Sequence, residues 1–124
     1  MSVRSKALQW FKSTHKSYEG KVYTSKYYLP EESWPKTHVW WLQIPLKRLN
    51  NINGNYINLL CQISPESNDY HYLKVPVQFL NDHLDNFDIV QNTKIHLYLS
   101  ADPSRLFMEE RGTGKLDFGK FLIP

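Results

Sequence analysis

Apolar and polar positions follow two rhythms along this chain, and the changes of rhythm mark its elements. Between Val3 and Thr14, the residues Val3, Ala7, Trp10 and Phe11 recur at helical spacing, while Arg4, Lys6 and Lys12 fall on the other side. This predicts an amphipathic helix with Ser2 as its N-cap. After a turn at Glu19-Gly20, the stretch Lys21 to Leu29 is rich in Tyr, Val and Thr and reads as a strand. Thr37 to Ile44 is the strongest strand pattern, closed by Pro45, and Leu46 to Asn50 reads as one helical turn. Asn51-Ile52-Asn53-Gly54 has turn chemistry. Asn55 to Ile63 and Asp69 to Val75 follow as strands, and the short Pro-containing turn between them predicts an antiparallel hairpin.

The rhythm then changes. Phe79, Leu80, His83, Leu84 and Phe87 share one helical stripe, which predicts a second short helix near residues 77–87, just after Pro76. Thr93 to Ser100 alternates as a strand, and the tail from Leu106 to Pro124 predicts one or two short strands around Gly112-Thr113-Gly114. The expected class is α+β, a mainly antiparallel sheet or partly closed barrel of about five to seven strands with an N-terminal amphipathic helix.

Period-two alternation assigns faces to the strands. Trp40, Leu42 and Ile44, then Ile57, Leu59, Cys61 and Ile63, then Leu73, Val75 and Val77, then Ile95, Leu97 and Leu99 form the core-facing sets. The opposite faces carry Trp41, Tyr56, Tyr70, Tyr72, Lys74, Lys94, His96 and Tyr98. Flat rings beside ammonium groups suit stacking of unpaired bases, at ~1–3 kcal/mol per ring. They suit a protein interface equally well. Rings also simply fill pleated surfaces, so the same pattern allows the N-terminal helix to cover this face, with Trp10 and Phe11 as plugs.

Composition narrows the class. The chain has 124 residues, the size of one domain, and its 41% hydrophobic content is enough for a core without disulfides. No apolar run approaches the ~18 residues a membrane span needs, so no membrane association is expected. No apolar segment with a cleavage site follows the basic start, so no secretory signal is read. Cys61 is the single cysteine and reads as a small core residue, and a cytoplasmic setting is the expectation. Charge is uneven: residues 1–62 carry nine Lys/Arg and three Asp/Glu, whereas residues 63–124 carry six and nine. Arg4, Lys6, Lys12, Lys16, Lys21 and Lys26 precede residue 29 against Glu19 alone. A positive end of this kind suggests a polyanionic partner.

Specific chemistry is hard to find. Arg111-Gly112-Thr113-Gly114-Lys115 lacks the glycine spacing of a phosphate loop, and Leu116 stands where Ser or Thr would bind magnesium. It reads as a glycine hairpin that presents Arg111 and Lys115. His15, His38, His71, His83 and His96 do not pair at metal-ligand spacing, so neither a metal nor a cofactor is expected. The aromatic signature of an RNA-recognition motif is missing, and no helix-turn-helix pattern stands out. The leading expectation is a non-catalytic binding module for nucleic acid. Lys12, Lys16, Lys21 and Lys26 would attract phosphate, and Trp41, Tyr56, Tyr72 and Tyr98 would stack. Lys74 and His96 would stand beside them, and Arg111 and Lys115 would add a second phosphate contact. The alternative is a protein-interaction or self-assembling domain using the same aromatic face. A further alternative is a small metal-dependent hydrolase or nuclease built from Glu66, Asp69 and Lys74, or from Glu109, Glu110, Asp117 and Lys115.

Overall fold

Two sheets and two helices carry the fold in the computed structural model, which describes residues 3–15, 20–33, 35–49, 56–113 and 115–124. The elements are α1 (Val3–Thr14), β1 (Val22–Ser25), β2 (Val39–Pro45), β3 (Tyr56–Gln62), β4 (Tyr70–Pro76), α2 (Val77–Asp82), β5 (Asp88–Val90), β6 (Lys94–Ser100) and β7 (Leu122–Ile123). One sheet has the order β1-β3-β4-β7 and the other the order β2-β6-β5. The class is α+β, and the sheets are mostly antiparallel and not closed into a barrel. The one parallel pair, β1 with β3, joins strands separated by a crossover through the other sheet, as a parallel pair requires.

The alternating pattern explains how the sheets meet. Trp40, Leu42, Ile44, Ile95, Leu97 and Leu99 from one sheet pack against Ile57, Leu59, Cys61, Leu73 and Val75 from the other. The Trp40 indole N–H donates to the Gln62 carbonyl at 2.7 Å, so the largest core ring buries no unpaired donor. Burial pushes the Cys61 thiol pKa up, which leaves it inert.

A second, smaller cluster lies on the outer side of the four-stranded sheet. Ala7 and Phe11 of α1 pack on Leu60, Tyr70 and Tyr72, with Trp10, Val22 and Ile123 around them. The molecule is therefore layered as helix, four-stranded sheet, core and three-stranded sheet. Leu60, an apolar residue on the polar side of β3's alternation, is the contact that seats the helix.

Departures from the sequence reading have local causes. The strand expected over Lys21 to Leu29 ends at Ser25 because the chain there crosses between sheets. The Ser25 hydroxyl accepts the Trp41 amide, the Tyr27 amide donates to Gln62 Oε1, and Tyr28 bridges to Val39 of β2. The second helix stops at Asp82 and a 3-10 turn over Leu84–Asn86 takes over, with His83 Nδ1 bonded back to the Phe79 carbonyl. Val77, expected to extend a strand face, opens that helix instead, and Ile63 is exposed beyond the end of β3. In the tail, Met108 and Glu109 run beside β6 and pair again with the chain near Asp117. Gly20 holds a φ of +85°, and a Cβ there would stand 1.9 Å from the Tyr56 carbonyl oxygen. Only glycine fits this entry to β1. The N-cap expected at Ser2, the turn expected over residues 51–54, Lys16 and Gly114 lie outside the described residues.

Candidate functional site

The layering divides the expected site residues between two opposite sides. On the helix side, Arg4, Lys6 and Lys12 are exposed on α1, and Lys21 is exposed at the start of β1. Lys74 stands on the same sheet face as Tyr72, with its ammonium 4.5 Å from the centre of the half-buried Tyr56 ring. None of these five cations is ion-paired with a carboxylate among the described residues. Arg4 reaches only the Val22 carbonyl, at 3.4 Å.

Two rings on this side, Tyr70 and Tyr72, are covered. Tyr72 is 5% exposed, lies edge-on to Phe11 and His15, and donates its hydroxyl to the Asn58 side chain. Tyr70 is likewise buried, against Trp10. Burial raises the pKa of both phenols. The helix-plug arrangement thus holds for the four-stranded sheet, and Tyr72 presents no free face to a base.

Trp41, His96 and Tyr98 belong to the other sheet and share its outer face. Trp41 and Tyr98 stack on one another across the β2–β6 pair, with centroids 6.0 Å apart. Tyr28 and His96 meet Trp41 edge-on, and the Arg111 guanidinium lies 5.4 Å from the Tyr98 centroid. Tyr98 is only 9% exposed. Trp41 and Tyr98 each turn one ring face to the other. His96 has its pKa lowered, first by burial and then by Lys94, and its Nε2 is buried without a hydrogen-bond partner.

Among the described residues, the remaining expected cations are paired. Lys26 bonds Glu32 at 2.6 Å, Arg111 Nε donates to Asp88 at 2.6 Å, and Lys115 lies 3.8 Å from Glu110, which also meets Arg105. The glycine hairpin holds an anion, but an internal one. The buried Glu109 carboxylate accepts the amides of Tyr98 (2.9 Å), Arg111 (3.2 Å) and Gly112 (2.6 Å). Burial still lifts its carboxyl above the ordinary carboxylate range, because desolvation outweighs the three donors. The sequence signal for this role was the position of Glu109 just before a Gly-rich turn, but without geometry it read as one of several solvated acids.

Glu66 and Asp69 are exposed in the β3–β4 turn, and among the described residues no three of His, Cys, Asp or Glu converge as metal ligands. Likewise, none of the helices over those residues is long and apolar enough to cross a membrane. Comparison with family models, curated proteins and solved structures gives no match.

Proposed function

We propose that this chain is a non-catalytic binding module for nucleic acid, gripping the phosphate backbone through its helix layer. The observation that carries the reading is the run of cations on one side, Arg4, Lys6, Lys12, Lys21 and Lys74, with no carboxylate paired to any of them among the described residues. From Arg4 to Lys12 the helix rises about 12 Å. Over that length duplex DNA presents roughly seven charges. Lysines of this kind gain by displacing the counterions condensed on such a strand. With Tyr72 covered and Trp41 stacked on Tyr98, affinity comes from phosphates and little from bases, so single and double strands bind comparably. The test is anisotropy of labelled oligonucleotides at low salt. The combined variant Arg4→Gln, Lys6→Gln, Lys12→Gln is expected to bind at least about tenfold more weakly, since exposed cations act in concert on a polyanion. Equal binding by the variant contradicts the reading.

The partly open outer face of the three-stranded sheet supports a second reading, protein interaction or self-assembly. Gln43 is exposed there, and Trp41, His96 and Lys94 are half-buried. Sedimentation separates the readings: a stable dimer indifferent to oligonucleotides favours the second.

A further inference from the structure

Where Tyr28 bridges to β2, a cleft of about 130 Å³ is lined by Tyr28, Glu32, Ser33, Val39, Trp41 and Tyr98. That volume is the liquid share of about four waters, or of one small organic group. Half of the lining residues are aromatic, and the sole charged one is a carboxylate. Ring faces carry negative potential and attract cations. The same rings do so already from outside the cleft: the Lys26 ammonium lies 4.8 Å from the Tyr28 centroid, and Arg111 sits over Tyr98. Both of those cations are tied to carboxylates, Lys26 to Glu32 and Arg111 to Asp88, so they add little net charge.

We propose that this cleft binds an organic ammonium head group, held against the rings of Tyr28, Trp41 and Tyr98, with the Glu32 carboxylate, shared with Lys26, among its lining. The chemistry favours a quaternary or methylated amine over a primary one. A primary ammonium brings three N–H donors that need acceptors when water is removed. The Glu32 oxygens are already engaged, Oε2 by Lys26 and Oε1 by the Leu29 amide. A quaternary, fully methylated cation has no N–H, needs no acceptor and gains from ring contact alone. Glu32 also lines a pocket with Lys6 of α1, so the site adjoins the basic helix layer, but binding of a small ammonium ion is read without any nucleic acid present.

Tetramethylammonium chloride is the first probe, followed by the Trp41 indole N–H resonance, assigned with Trp41→Phe. A saturable shift is expected in the millimolar range, with no response to neopentyl alcohol, a neutral molecule of similar branched shape, or to sodium chloride at equal ionic strength. Tyr28→Leu abolishes the shift, and Glu32→Gln weakens binding roughly two- to fivefold, the worth of one exposed charge contact. Spectra of both variants confirm that the rest of the molecule is unchanged. Choline and a short peptide bearing trimethyllysine run alongside. Tighter binding of the first identifies a free small cation, and of the second a partner's side chain; both support the site. An absent shift, an equal response to neopentyl alcohol, or full binding by Tyr28→Leu overturns it.

Discussion

Phe11 of α1 packs on the four-stranded sheet beside Leu60, Tyr70 and Tyr72. Fully buried, it meets Tyr72 edge-on at 4.8 Å between centroids. Truncating a buried Phe removes its transfer energy and leaves a cavity that collapses only in part. Phe11→Ala is therefore expected to cost about 3–5 kcal/mol in urea unfolding, with an unchanged denaturant slope. His71 gives a residue-level dependence on pH. It stands half-buried 5.5 Å from Trp40 and 5.3 Å from Phe107, and burial lowers its pKa. The folded state then prefers the neutral ring. Stability from this preference is complete above the ordinary imidazole value of about 6.5 and is lost as pH falls through the lowered folded value. Unfolding measured from about pH 7.5 down to about pH 5 should show wild type losing stability relative to His71→Gln. A constant difference between the two would contradict it.

The elements with long, regular patterns were legible in the sequence. The first helix has the bounds its apolar spacing predicts, and the strands around Trp40, Leu59, Leu73 and Leu97 fall where alternation puts them. The hairpin of β3 and β4 pairs antiparallel as its short turn demands. The tail was not legible, because its order comes from one carboxylate collecting backbone amides and from a close backbone approach, neither of which has a periodic sequence signal. Glu109 organises it by collecting three amides, and Gly112 approaches the Asn86 carbonyl so closely that a Cβ would stand 1.9 Å away. A glutamine at 109 would turn one oxygen into a donor facing those amides. Glu109→Gln is accordingly expected to destabilise by about 1–3 kcal/mol, the cost of stranding a buried donor. Circular dichroism melts and urea midpoints check it. No loss would mean that the carboxylate is not what holds this turn.

Across the whole molecule, charge was readable and its partition was not. Composition revealed an excess of cations before residue 29. It did not reveal that Lys26 would close on Glu32, or that Arg111 would close on Asp88, leaving the helix side as the unneutralised one. Alternation identified the ring-bearing strand faces, yet period two says nothing about strand order. Tyr72 and Trp41 could not be assigned to separate sheets, one lidded by α1 and the other partly open, until tertiary placement was known. The nucleic-acid reading proposed above therefore rests on phosphate attraction in place of ring stacking.

Phosphate attraction makes a quantitative demand on salt dependence. Each phosphate contact contributes about −0.9 to the slope of log affinity against log salt on duplex DNA. If Arg4, Lys6, Lys12, Lys21 and Lys74 all engage, the slope should be about −4.5, and neutralising the three on α1 should bring it to about −2. Anisotropy titrations of one duplex across a range of salt concentrations, with wild type and the triple glutamine variant side by side, measure both. A slope near zero in wild type, or the same slope in both proteins, would contradict the account.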